Sequence, residues 1–152
     1  MKSLLVAIGL FTLSSMAYAA DTPTAEPTAS ERVENARKNI EKKDWNRAIT
    51  DLNRAVRDEP RNADIHNLLG YSYRKRSPAN MAKAFEHYQL ALKLDPKHKG
   101  AHEYIGEAYL MDKKLPEAEA HLVQLEAICG NKTCEEYADL AKSIADYKAK
   151  NK

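Results

Sequence analysis

Between Asn67 and Pro96 the chain reads NLLGYSYRKRSPANMAKAFEHYQLALKLDP, and its large, small and aromatic residues recur at helical spacings. Leu69 precedes Gly70, with Tyr73 three residues further on. Ala84 opens a second run, followed by Tyr88, Ala91 and a closing Pro96. The pattern predicts two helices joined by a turn. Gly70 and Ala84 lack the bulk that would hold the two backbones apart, while Tyr73 and Tyr88 fill the space beside the crossing. The turn near Lys75-Arg76-Ser77-Pro78 carries a helix-start signal, with Ser77 as N-cap and Pro78 at the first helical position, where a missing N–H costs nothing.

The same markers recur on both sides. Upstream, Ala36, Ala48, Leu52, Ala55 and Pro60 repeat the order, although Asn35 and Asn39 stand where a large apolar residue and an aromatic are expected. That predicts a loosely packed first helix, as suits an end repeat with one wet face. Downstream, Ile105-Gly106, Tyr109, Ala118 and Leu122 hold the offsets, with Gly130 in place of the closing proline. Ala36 to Gly70 and Ala84 to Ala118 are each 34 residues, but Gly70 to Ala84 is 14 where the flanking repeats have 12, so two extra residues lie in the middle turn. Thr28-x-x-Glu31 is a capping box at the first helix, and Asp44 can cap the second. After Cys134, Tyr137, Leu140, Ile144 and Tyr147 form an apolar stripe on a last helix that closes the stack, with Thr133 and Glu136 at capping-box spacing.

The N-terminal residues do not fit this scheme. Lys2, an apolar run from Leu4 to Leu13, and Ala17-Tyr18-Ala19 form an export signal with its cleavage site, assigned to residues 1–19. The alternative is an uncleaved anchor, but the run is short for a bilayer. Asp21 to Ala29, rich in proline, threonine and alanine, reads as a flexible arm over 20–29. The helical domain then spans 30–148, with repeats at about 29–62, 63–98 and 99–130 and a capping helix at 134–148. Lysine plus arginine exceed aspartate plus glutamate by 2 in 152 residues, and the signs are interspersed. That balance gives no reason to expect nucleic acid, nor membrane insertion once the signal is gone.

On these residues the chain resembles the tetratricopeptide repeat family, and in particular its small exported members in Gram-negative bacteria. The resemblance implies an all-α, right-handed superhelix of three helix–turn–helix repeats plus a C-terminal capping helix. It implies a scaffold that binds another protein or a peptide segment in a concave groove lined by the first helix of each repeat. By repeat position the groove takes Val33, Arg37 and Ile40, then Asn67, Tyr71 and Arg74, then Glu103, Glu107 and Leu110. The lysine, asparagine and arginine pattern with which some members clamp a terminal carboxylate is not reproduced. A module that self-associates through repeat end faces, giving a homo-oligomer, is the alternative function.

Candidate chemistry is sparse. His66 and His102 share one repeat position, and His87 and His121 another, a periodicity that packing accounts for; His98 and His102 are four apart with nothing to complete a metal set. No nucleotide, metalloprotease or nucleophile motif occurs, so the reading is of a non-enzymatic protein without cofactor. Cys129 and Cys134 are the only cysteines, and an oxidising compartment favours a disulfide between them. The competing reading is a redox-active dithiol, against which stands the C-x4-C spacing. A bridge across five positions requires a helix break, which Gly130 can supply, with Thr133 capping the next helix.

Overall fold

The computed structural model describes residues 26–151. The export signal and the start of the arm lie outside the described residues. Those described form seven α-helices and no strand: α1 (Ala29–Glu41), α2 (Trp45–Asp58), α3 (Ala63–Lys75), α4 (Met81–Leu94), α5 (Lys99–Met111), α6 (Leu115–Cys129) and α7 (Glu135–Lys150). Among them no helix is long and apolar enough to cross a membrane. Consecutive helices pack as the antiparallel pairs α1·α2, α3·α4 and α5·α6, and each pair packs on the next through α2·α3 and α4·α5. Of the odd-numbered helices α3 meets α5 and α5 meets α7, so these three form one continuous wall, with α1 alongside.

Small residues make these approaches possible. Ala36, Ala48, Ala84 and Ala118 are wholly buried at their crossings. A Cβ built on Gly70 would come 2.6 Å from the ring of Tyr88, itself fully buried, so the ring lies directly on the α3 backbone. In the third repeat the corresponding contact comes from Leu140 of α7 rather than from α6. The first helix is thinly anchored, with only Ala29 and Ala36 buried. Asn39, at the missing aromatic position, donates instead to Asp51 Oδ2 of α2 at 3.0 Å.

Local chemistry sets most helix ends. Thr28 and Glu31 form the reciprocal capping box of α1. Asp44 Oδ1 accepts from the Arg47 N–H at 3.2 Å to start α2. The three-residue turns 42–44 and 112–114 are alike, with Lys43 (φ 58°) and Lys113 (φ 60°) in the left-handed region.

Two expected caps are corrected. The middle turn spans 76–80, two residues longer than its neighbours, but α4 does not start at Ser77-Pro78; that peptide bond is cis and lies within the loop. Asn80 is the N-cap, because its side chain accepts from Lys83 N at 3.1 Å while its own N–H donates to Tyr73 O at 2.9 Å. Nor does Thr133 cap α7. Its hydroxyl and N–H both turn back to Asn131 Oδ1, at 2.9 and 2.8 Å, and Cys134 takes the N-cap position without a side-chain capping bond. Gly130 ends α6 in the left-handed conformation (φ 68°), and Cys129 and Cys134 are joined across the turn with Cα atoms 6.2 Å apart.

Candidate functional site

Positions three and four apart share a helix face, so Asn67, Tyr71 and Arg74 form one stripe of α3, flanked by Val33, Arg37 and Ile40 on α1 and by Glu103, Glu107 and Leu110 on α5. The three stripes lie side by side on the wall of odd-numbered helices, yet they differ in availability. Arg74 is 5 % exposed. Its Nε donates to the Tyr88 hydroxyl at 3.2 Å and its Nη2 to Glu107 Oε2 at 2.5 Å, and its guanidinium carbon lies 5.5 Å from the Tyr71 ring centroid and 5.7 Å from that of Tyr104. Glu107 is held from the other side by Ser143 of α7, whose hydroxyl donates to Oε1 at 3.3 Å. Burial works against the guanidinium charge, but Tyr88 and Glu107 outweigh it and raise the arginine pKa.

This corrects the expectation for three groove residues. Arg74 is not a free anchor, because its planar fork is already committed inside the fold. Leu110 does not line the groove: it packs in the core with Leu125, Leu140 and Ile144, since α7 covers that end of α5. Asn67 is also buried, between α3 and α5.

What remains open is a cleft of about 230 Å³ between α1, α3 and α5, lined by Arg37, Ile40, Glu41, Leu68, Tyr71 and Tyr104. Tyr71 is its floor, edge-on to Trp45 at 6.0 Å and tilted against Tyr104 at 4.8 Å. Burial, with the Glu103 carboxylate next in weight, pushes the Tyr104 hydroxyl up to about 12, so the ring presents a neutral phenol. Val33 lies with Arg37 in an adjoining hollow of about 240 Å³ that runs to Asp64 and Ile65 of α3. A roomier depression of about 510 Å³ is bounded only by α1 and the residues leading into it, and so lacks an opposing wall. Sequence reasoning missed Leu68, Tyr104 and Glu41; each is next to a position that it chose, and the signal was the aromatic at 104 beside a repeat position already assigned to the groove.

The histidines have other duties. His66 Nδ1 lies 3.2 Å from His87 Nδ1, and His102 Nδ1 2.9 Å from His121 Nδ1, while Nε2 of His66 and of His102 each donates to a proline carbonyl, Pro60 or Pro96, at 3.0 Å. With Nε2 protonated, each of these Nδ1 atoms is the acceptor for its partner's Nδ1–H, an assignment made from the bond network. Tyr73 stacks on His87 and Tyr109 on His121. Burial, and then the neighbouring histidine, pushes His87 and His121 down to about 4. His98 caps α5 through Nδ1 and reaches Asp64 Oδ1 with Nε2 at 3.0 Å. Among the described residues Cys129, Cys134 and Glu136 bring three potential ligand atoms within 4.8 Å of one another, but sulfurs bonded to each other offer no thiolate.

Comparison with known proteins fits this arrangement. A family model described as a TPR repeat matches residues 37–76, and one described as a tetratricopeptide repeat matches residues 79–130. The chain belongs to the tetratricopeptide repeat family. No curated protein matches it. Among solved structures, tetratricopeptide domains superpose over most of its length. The first TPR domain of Spaghetti (RPAP3), bound to the HSP90 peptide SRMEEVD, is 19 % identical with a TM-score of 0.68, covering 80 % of this chain and 94 % of that one. The TPR domain of Arabidopsis OM64 is 16 % identical with a TM-score of 0.69, covering 79 % and 96 %. The first TPR domain of human RPAP3 is 17 % identical with a TM-score of 0.66, covering 80 % and 96 %. At these identities the likeness shows the tetratricopeptide fold, an all-α superhelix of helix pairs.

Proposed function

We propose that this tetratricopeptide protein is an exported, non-enzymatic scaffold whose concave cleft holds an extended segment of a partner protein. The observation that carries the reading is the cleft itself. Tyr71, Tyr104, Leu68 and Ile40 give an aromatic and apolar floor, and Arg37 and Glu41 a charged rim, which is the anatomy of a protein-binding patch. The floor is held rigidly by the Trp45 and Tyr104 contacts of Tyr71, so little ordering cost remains for binding. A tetratricopeptide relative holding a peptide supports the same use of the fold.

The test is photo-crosslinking in intact cells from a probe placed at Arg37, on the cleft rim, with identification of the captured protein. Tyr71→Ala and Ile40→Asp should each abolish capture without changing the helical circular dichroism; capture that survives both moves binding to another face. Export is tested on the same material by N-terminal sequencing. A chain beginning at or next to Ala20 supports it, whereas retained Met1 on envelope protein overturns it. Light scattering that finds a concentration-independent monomer excludes the self-association alternative.

A further inference from the structure

The end of the stack where α1 turns into α2 and α3 into α4 holds a pocket lined almost wholly by hydrogen-bond donors. It has a volume of about 390 Å³, lies between the turns 42–44 and 76–80, and shares no lining residue with the cleft. Three cations line it, Lys42 and Lys43 from the first turn and Arg76 from the second. Lys42 and Arg76 are 34 residues apart, the repeat period, so the stacking of repeats brings them together. Among the described residues none of the three side chains has a hydrogen-bond or ion-pair partner. Arg76 is only partly exposed and its Nε is buried without an acceptor, so this guanidinium has given up water on one side without gaining a carboxylate. Trp45, Asn46 and Ser77 add an indole N–H, an amide and a hydroxyl to the lining, each able to donate. The one acid there, Asp44, is already matched: its Oδ1 accepts the Arg47 N–H at 3.2 Å and its Oδ2 lies 3.4 Å from Arg47 Nε. Cations suit the C-terminal ends of α1 and α3, which accounts for each of them singly. It does not account for a hollow between two turns in which every unmatched charge is positive.

We infer that this pocket binds a phosphate monoester or diphosphate carried on a larger molecule. Charge decides the class of ligand. With Asp44 taken by Arg47, the lining keeps the three positive charges of Lys42, Lys43 and Arg76. A single carboxylate would leave most of that charge unmatched, whereas a phosphate monoester brings roughly 1.5 to 2 negative charges and three acceptor oxygens at neutral pH. A guanidinium fork beside ammonium groups is the set of donors that such oxygens engage most strongly. Volume and the remaining wall decide the rest. The pocket has room for more than the phosphate group, and the Trp45 indole offers an apolar face with a polar edge, suited to a sugar ring or a glycerol backbone. Tyr71, edge-on to Trp45 at 6.0 Å, steadies that face from the cleft side. Soluble phosphorylated sugars and lipid head groups bear the same chemistry, and the experiment separates these two sources.

Trp45 is the only tryptophan, so its fluorescence reports on the pocket. The full mature chain is titrated at constant ionic strength with glycerol 3-phosphate and inorganic pyrophosphate, and with glycerate and a hexaglutamate peptide as carboxylate counterparts. Line broadening in ³¹P spectra gives a second readout that does not depend on the indole. In parallel the chain is sedimented with phosphatidylcholine vesicles that contain or lack phosphatidic acid. The phosphate ligands should bind saturably and at least tenfold more tightly than glycerate or hexaglutamate. Lys42→Gln and Arg76→Gln, with unchanged circular dichroism, should each weaken binding roughly fivefold. Lys97→Gln, exposed in the turn at the opposite end of the helix pairs, should leave it intact. Binding of glycerol 3-phosphate assigns the site to soluble ligands, and binding confined to vesicles with phosphatidic acid assigns it to a lipid head group; either supports the inference. No binding in any arm by both readouts, equal binding of the carboxylate counterparts, affinity unchanged in both pocket variants, or an equal loss in Lys97→Gln overturns it.

Discussion

Leu140 of α7 rests on the backbone of Gly106 in α5, so that a Cβ at position 106 would lie 2.7 Å from Leu140 Cδ2 and 2.8 Å from its Cδ1. The contact is how the closing helix docks: Leu140 is fully buried with Leu110, Leu125 and Ile144 around it. Gly106→Ala gains up to about 1 kcal/mol of helix propensity but forces Leu140 outward, and overpacking of this kind costs about 1–3 kcal/mol. The expected result is a net loss of roughly 1 kcal/mol that appears first as protease cleavage within 135–150 while α1–α4 stay protected. Gly70→Ala, which meets the stiff Tyr88 ring, should cost more and should loosen the middle repeat. Limited proteolysis with mass mapping separates the two patterns.

The Arg74–Glu107 pair bridges the second and third repeats with one partner almost wholly buried. Arg74→Ala strands the Glu107 carboxylate and the Tyr88 hydroxyl, an uncompensated burial that costs about 3 kcal/mol. Loss of binding in that variant would therefore report damage to the fold. A double-mutant cycle on Arg74→Met and Glu107→Gln, read by urea denaturation, should give a coupling energy above about 1 kcal/mol; additive losses would show that the pair does not hold the repeats together.

Stability should fall on acidification through the histidine pairs. His87 and His121 sit at about 4 against an ordinary 6.5, so the fold favours their neutral forms. Their contribution is complete above pH 6.5 and is lost as pH falls through 4. Glu103 acts in the opposite sense: its raised value favours the protonated form, so its contribution is complete below 4.5 and is lost as pH rises through about 8. Melting temperatures measured every half unit should thus form an arch, with the acid limb flattened by His87→Gln plus His121→Gln and the alkaline limb flattened by Glu103→Gln. An acid limb unchanged in the double histidine variant would contradict the pairing.

The link between Cys129 and Cys134 stands in for the cap that α7 lacks. Closing so short a loop is worth about 2 kcal/mol in the chain-entropy picture. Cys129→Ser with Cys134→Ser should lower the melting temperature and expose Tyr137–Tyr147 to protease, leaving the middle repeat folded. Two free thiols in freshly purified protein, titrated under denaturing conditions without reductant, would show that the native chain does not carry the link.

What the sequence made legible was what short-range chemistry decides. The capping box of Thr28 and Glu31, the Asp44 cap and the left-handed Gly130 depend on residues within one turn, and the Gly70–Tyr88 packing follows from a fixed offset inside one helix pair. Ser77-Pro78 misled because it satisfies a start rule as well as Asn80 does, and the choice falls to the Tyr73 carbonyl that anchors Asn80. Thr133 misled because Asn131 Oδ1 holds both its N–H and its hydroxyl in the turn, and α7 begins one residue later with Cys134 at the N-cap. The commitment of Arg74 and the burial of Leu110 were illegible for another reason: Glu107 is 33 residues from Arg74 and Ile144 is 34 from Leu110, and only the stacking of odd-numbered helices brings them together.

That stacking also divides the concave wall into a part tied by directional bonds and a part held by apolar packing. Glu107 is gripped from α3 by Arg74 and from α7 by Ser143, so three helices of the wall are tied by directional bonds that break if any of them slides. Among the described residues no side-chain hydrogen bond joins α1 or α2 to α3 or α4, and the contact there is the Leu68, Leu69 and Ile65 cluster with the Trp45–Tyr71 edge. Apolar contact has no preferred direction and tolerates small rotations. Among the described residues, then, α3, α5 and α7 are pinned to one another by directional bonds, while the first repeat is held to the second by side-chain packing without them.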